Sequence, residues 1–121
     1  MRLKRHEDLI VWQKSIDLAI EVYRIADMVP KAEMHALSEQ MKKAAVSIPS
    51  NIAQGQDSNL PEEYIRYLYF AKGFKGKLET QLLICVRLKY LAMNDIEAAQ
   101  TMLCEIGKML NSIIMDMAVV T

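Results

Sequence analysis

The sequence has few of the residues on which enzymes and metal sites are built. Only two histidines occur in 121 residues, and neither has the glutamate three positions earlier that di-iron sites in helix bundles require. The two cysteines, Cys85 and Cys104, lack the Cys-x-x-Cys spacing of redox and zinc sites. No zinc-protease motif, nucleophile elbow or Walker loop is present. These absences predict a protein that is not an enzyme and that uses no cofactor.

Proline, glycine and long hydrophobic runs are also scarce. Three prolines and four glycines leave few places to turn, and a hydrophobic content of 52% excludes a disordered chain. No apolar run approaches the roughly 18 to 20 residues of a membrane span, so we expect a cytoplasmic protein with no membrane partner. Basic and acidic residues number 15 each, so the net charge gives no general attraction to nucleic acid.

Apolar residues recur at spacings of three and four along four segments, a pattern typical of amphipathic helices. We predict a single all-α domain over residues 1–121, folded as an antiparallel up-down-up-down four-helix bundle. Its helices are expected at about residues 8–28, 32–54, 60–90 and 95–118. Pro49 predicts a kink in the second helix, because proline lacks an N–H and clashes with the preceding turn. Gly55 is expected to end that helix in a left-handed conformation.

The first helix is apolar on two sides. We assign one stripe to the bundle core, and it contains Leu9, Trp12, Ile16, Ala19, Tyr23 and Ala26. The other stripe contains Val11, Leu18, Val22 and Ile25. Because a bundle core covers one stripe and an exposed second stripe favours aggregation, we predict that the second stripe forms an interface between copies of the chain.

Uncharged polar residues follow the core side of the second helix, namely Gln40, Ser47, Asn51 and, near its end, Gln54. One interpretation is a buried hydrogen-bond network with a third-helix partner such as Glu79 or Gln81, which would specify helix pairing and register. The other is a ligand site. We favour the network.

The third helix carries more positive than negative charge, and aromatic residues are interleaved with its cations. The cations are Arg66, Lys72, Lys75, Lys77, Arg87 and Lys89. Proteins that bind single-stranded nucleic acid combine these residue types, but the interpretation that we favour is a solvated basic face over core aromatics. In the middle of the helix, Ala71, Gly73 and Gly76 predict the close approach of a neighbouring backbone, because glycine weakens a helix.

Three segments of the sequence resemble a known protein family: residues 8–13, residues 30–33 and residues 40–55. The most specific run is Ala-Ala-Val-Ser-Ile-Pro-Ser-Asn-Ile-Ala-Gln-Gly at residues 44–55. The chain resembles the four-helix-bundle proteins encoded by intervening sequences in bacterial 23S ribosomal RNA genes. This resemblance implies a ring-like homopentamer without known catalytic activity.

More distantly, the chain is similar to the accessory variability proteins of diversity-generating retroelements, which associate with a reverse transcriptase and with nucleic acid. Residues and resemblance together lead us to expect a non-enzymatic, self-assembling scaffold. The alternative is an accessory protein that binds RNA, single-stranded DNA or a reverse transcriptase through the basic third helix, repeated around the oligomer.

Overall fold

The computed structural model describes residues 5–120, and four α-helices account for most of that length. They are α1 (Ile10–Ala26), α2 (Leu37–Asp57), α3 (Pro61–Arg87) and α4 (Met93–Val120). Short 3-10 helices at His6–Asp8 and Lys31–Glu33 precede α1 and α2, and no strand occurs between residues 5 and 120. The predicted all-α four-helix fold is confirmed, with helix ends within three residues of those expected except at the start of α2, which lies five residues later.

Each helix packs against its neighbours around a square. The most extensive contact joins α2 to α3, followed by α1 with α2, α1 with α4 and α3 with α4. Within the described residues, the backbone of α1 does not come close to that of α3, nor that of α2 to that of α4, so these pairs occupy opposite corners. Consecutive helices run antiparallel, which means that α1 and α3 point in the same direction.

The core stripe of α1 is not the one that we predicted. Leu18, Val22 and Ile25 are fully buried and Val11 is 2% exposed, so these four residues lie in the core of their own bundle. The prediction that they form an interface between copies is therefore wrong. The physical reason is the position of α1 between two neighbours, because the side of a helix that points between both neighbours becomes the most deeply buried.

Ala26 of the predicted core stripe is buried in the core as expected, but most of that stripe lies at the rim of the contact between α1 and α2. Trp12, Ile16 and Ala19 are only partly buried, and Tyr23 is 45% exposed with the Lys42 ammonium 5.1 Å from its ring centre. On the other side of α1, Lys14 Nζ binds Glu105 Oε2 of α4 at 2.8 Å. These two lines of contact bracket the buried stripe.

The spacing of apolar residues in α4 predicts a core stripe from Ile96 to Met117, and the stripe is buried along most of its length. Ile96, Ala99, Leu103, Ile106 and Leu110 are all fully buried. The apolar residues of α4 lie on one side of the helix, so only one stripe could face the core.

The helix α2 continues through Pro49 and through Gly55 to Asp57. The expected end at Gly55 is wrong, since that glycine is buried against α3 within the helix. The left-handed backbone occurs later, at Asn59 with a φ of 59°, directly before α3 begins. Pro49 is buried inside α2, and the bend that proline induces there stays a prediction.

Candidate interaction surface on α3

The hydrogen-bond network predicted between α2 and α3 does not form. Ser47 Oγ and Asn51 Nδ2 each donate to a backbone carbonyl one turn earlier in α2, both at 2.7 Å. Gln40 is exposed, and Glu79 accepts a hydrogen bond from Lys75 of its own helix. Ser47 and Asn51 thus form their hydrogen bonds within α2, because the i−4 carbonyl lies within reach of a short polar side chain. Gln40 is solvated, and Glu79 is paired within α3.

Other polar residues lie between α2 and α3. Gln54 Nε2 donates to the hydroxyl of Tyr67 at 2.9 Å. Gln81 is 8% exposed, and its Oε1 has no hydrogen-bond partner among the described protein groups. The sequence pattern placed Gln54 at the end of the stripe and offered Gln81 as a partner, but it could not show which side chains reach across and which bond to their own helix.

Two of the six predicted nucleic-acid-binding cations are engaged in ion pairs within α3. Arg66 Nη2 lies 2.8 Å from Glu63 Oε2, and this hydrogen bond holds the pKa of Glu63 below its ordinary value. Lys75 Nζ lies 3.1 Å from Glu79 Oε2, and its aliphatic chain packs over Gly107 of α4. Neither cation is free for a phosphate group without breaking its pair.

The other four cations, Lys72, Lys77, Arg87 and Lys89, form no ion pair within the described part of the chain. They do not converge on one patch. Lys77 and Arg87 point outward from α3, whereas Lys72 is half-buried with its ammonium 5.4 Å from the Tyr69 ring centre. Lys89 follows the end of α3 in a left-handed conformation with a φ of 65°.

The outward side of α3 combines large apolar side chains with two glycines. We call this surface the α3 face; it consists of Tyr69, Phe70, Gly73, Gly76, Lys77, Thr80, Leu83, Ile84, Arg87 and Leu88. Its five large apolar side chains are between 42% and 54% exposed. A β-carbon placed on Gly73 or Gly76 would meet nothing within 4 Å, so the backbone that we expected to approach them is not among residues 5–120 of this chain.

A second apolar feature is an open groove of about 290 Å³ between α1 and α2. Trp12, Ile16, Val46 and Pro49 contribute to its walls. Among the described residues, no group of three or more histidines, cysteines or acidic residues could hold a metal ion. The helices in that part of the chain are also too short or too polar to cross a membrane.

The fold is shared with a solved structure, a protein of unknown function from the S23 ribosomal protein family of Bacteroides thetaiotaomicron VPI-5482. The similarity has a TM-score of 0.80 at 24% sequence identity and covers 87% of this chain and 98% of the other. No curated protein sequence matches the chain. The sequence profile of the 23S rRNA-intervening sequence proteins matches residues 7–112, which is most of the bundle. The chain therefore belongs to the 23S rRNA-intervening sequence protein family.

Proposed function

We propose that this chain is a non-enzymatic helical scaffold that assembles with copies of itself through the α3 face. The resemblance to the family implies a ring of five copies. The observation that carries the proposal is the pair of glycines in the middle of an exposed helix, with large apolar side chains at both ends of the same surface.

Glycine in a helix interior is about 1 kcal/mol less favourable than alanine. Gly73 and Gly76 both lie inside α3, have ordinary negative φ values and border open space, so neither turn geometry nor packing in this chain requires them. A second helix that packs over them would require them, because the absence of a β-carbon lets another backbone come close. Exposed apolar side chains around such a site favour association in water.

The test is to measure mass and stability together. Light scattering during gel filtration at micromolar concentration should give a multiple of the 13.8 kDa chain mass. The variant Gly73→Ala/Gly76→Ala should stabilise the isolated helix by up to about 1 kcal/mol per site, yet shift the mass toward the monomer. A variant that is more stable but less assembled has lost an interface. A damaged fold would instead lower stability and assembly together.

Asn111→Ala is the matched control, because it also replaces a weak helix former with alanine but lies on the exposed side of α4. It should leave the mass unchanged. A wild-type chain that stays monomeric at 100-fold higher concentration, or a double glycine variant that assembles as well as the wild type, would remove the support for a scaffold built on the α3 face.

The second candidate function is nucleic-acid binding by the same helix. The guanidinium of Arg66 lies 4.8 Å from the Tyr67 ring centre and 5.3 Å from that of Phe70, and Phe70 is 44% exposed. An exposed ring beside a cation can stack on a base while the cation attracts the backbone, and for this Arg66 must leave its ion pair with Glu63.

The two functions compete for one surface, so they make different predictions. Single-stranded RNA and DNA should bind to the α3 face with a steep salt dependence, because counterion release dominates such binding. Fluorescence anisotropy across a salt series measures it, and Lys72→Gln/Lys77→Gln should flatten the slope. A monomeric sample, in which the α3 face is open, that binds neither probe at low salt excludes this second function.

A further inference from the structure

A cavity of about 450 Å³ lies at the junction of α1 and α2, where the first helix ends and the second begins. Its walls combine apolar side chains with a few polar ones, among them Val29, Pro30, Met34, Lys31, Ser38 and Lys42. This size and composition are typical of sites that bind small organic molecules. None of these residues belongs to the α3 face, so the cavity is a separate feature of the bundle.

Ser38 is the most informative residue of the cavity, because it is buried without a hydrogen-bond partner. The residue is only 5% exposed. Neither its hydroxyl nor its backbone N–H forms a hydrogen bond with any group among residues 5–120. The hydroxyl is not fully enclosed either, so it opens into the cavity that Ser38 lines. Because buried polar groups are nearly always hydrogen-bonded, these two donors indicate an acceptor that enters through the cavity.

Ser38 lies in the first turn of α2, where other backbone donors are free as well. The N-cap residue is Ala36, and no side chain caps the helix. The N–H groups of Leu37 and Glu39 also lack an acceptor within the described chain. The positive end of the helix dipole lies at the same turn, so the acceptor that this turn favours is an anion.

Two lysines add positive charge to the cavity. Lys31 and Lys42 both line it, and neither forms an ion pair with a described residue. The Lys42 ammonium lies 5.1 Å from the ring centre of Tyr23, an arrangement that gives it no negative partner. Two ammonium groups match the double charge of a phosphate monoester, and its three free oxygens can accept several hydrogen bonds at once.

The acidic residues near the cavity do not neutralise these lysines. Glu33 accepts a hydrogen bond from the Tyr90 hydroxyl at 2.9 Å, and Glu39 pairs with Lys43 at 3.2 Å. Asp27 also lines the cavity, but it is exposed and forms no ion pair with a described residue. Its carboxylate opposes an incoming anion, so it should weaken the binding of that anion.

We infer that this cavity binds a small organic phosphate. The phosphate group accepts hydrogen bonds from Ser38 and the first turn of α2 and pairs with Lys31 and Lys42. The organic part of the ligand contacts the apolar wall. This inference does not rest on the proposed self-assembly, and it holds for a monomer as well as for an oligomer.

Isothermal titration calorimetry in phosphate-free buffer tests the ligand class with three probes. Phenyl phosphate should bind at least about tenfold more tightly than inorganic phosphate, because its ring buries apolar surface. Phenol should bind far more weakly than either, because it carries no negative charge. Absence of phenyl phosphate binding at millimolar concentration would overturn the inference. Equal affinities for phenyl phosphate and inorganic phosphate would overturn the organic ligand.

Substitutions in the cavity test the site. Ser38→Ala and Lys31→Gln/Lys42→Gln should each weaken phenyl phosphate binding at least about tenfold, because each removes hydrogen bonds to a charged group. Asp27→Asn should strengthen binding about threefold, the effect of one exposed charge. A damaged fold cannot bind more tightly, so this gain separates the removed repulsion from a general loss of structure.

Two matched controls lie outside the cavity. Ser50→Ala removes a hydroxyl of α2 that already donates to the Val46 carbonyl at 2.8 Å. Lys89→Gln/Lys108→Gln removes as much charge as the double lysine variant but at exposed sites elsewhere. Both controls should bind phenyl phosphate as the wild type does. If the Ser38 and double lysine variants also bind like the wild type, the probe occupies another place and the assigned site is wrong.

Discussion

Gly55 of α2 lies directly against α3 at Tyr64, with 3.3 Å between the position of a β-carbon on the glycine and the Tyr64 Cα. The same β-carbon would lie 2.9 Å from Cβ of Tyr67. The Tyr64 ring, 3.1 Å away at Cδ1, can rotate, but Cα of Tyr64 and Cβ of Tyr67 move only with the backbone of α3. This close approach occurs in the most extensive helix contact of the bundle.

Gly55→Ala should therefore lower the free energy of unfolding by about 1 to 3 kcal/mol, although alanine favours the helix itself. The added methyl group forces α2 and α3 apart or strains the backbone. Urea unfolding followed by circular dichroism measures the change.

Gly107→Ala is the matched control for that substitution. A β-carbon at Gly107 would lie 2.5 Å from Cε of Lys75, but this is the far end of a flexible side chain. Lys75 can move, so the substitution should cost little or raise stability through helix propensity. Equal losses at both glycines would show that the backbone contact is not the cause.

The second prediction concerns the buried glutamine of α3. Gln81 Oε1 lacks a hydrogen-bond partner among the described protein groups, and an unsatisfied buried polar atom costs free energy. Gln81→Met replaces the amide with an apolar group of similar length and should leave stability unchanged or raise it by about 1 kcal/mol. Gln100→Met, at an exposed site on α4, is the control and should change little. A loss of more than about 1 kcal/mol at Gln81 alone would mean that its amide is satisfied in solution.

The bundle could be predicted from sequence because helix periodicity is a local property. The single apolar side of α4 fixed which residues are buried, from Ile96 to Leu110. The α1 pattern did not show which residues are buried. Its two stripes are similarly apolar, and which of them faces the core depends on where α2 and α4 pack. For that reason Leu18, which we expected at an interface, is buried in the core, and Trp12, which we expected in the core, is only partly buried.

The candidate surface was harder to predict, because its parts depend on contacts between helices. Gly73 and Gly76 were recognised as unusual, but the sequence does not show whether the approaching backbone belongs to the same chain. Asn51 was assigned a partner on another helix, whereas its amide donates to Ser47 of α2. The same polar residue types form hydrogen bonds within one helix and between two helices, so the sequence alone does not distinguish the two kinds of bond.

The third prediction separates the two thiols. Cys85 is fully buried beside Met41, and burial raises the pKa of its thiol, whereas Cys104 is exposed on α4. Because the thiolate is the reactive form, the native protein should react with iodoacetamide at Cys104 alone. Mass spectrometry should show one adduct when native and two after unfolding in urea. Cys104→Ser should show none when native, and rapid native labelling of Cys85 would contradict its burial.

The last prediction concerns acid stability and the ion pair in α1. Arg24 Nε and Nη2 donate to the two carboxylate oxygens of Glu21 at 3.0 and 2.6 Å, and these hydrogen bonds hold the pKa of Glu21 below its ordinary value of 4.5. The unfolded chain therefore takes up this proton first as the pH falls, so the pair stabilises the fold above pH 4.5 and the contribution disappears through the lower folded pKa. Glu21→Gln should melt below the wild type at pH 7, with a difference that shrinks toward pH 3. Glu97→Gln, at an exposed acid on α4, should show little difference at either pH. A difference for Glu21→Gln that is constant from pH 7 to pH 3 would assign its effect to packing instead of charge.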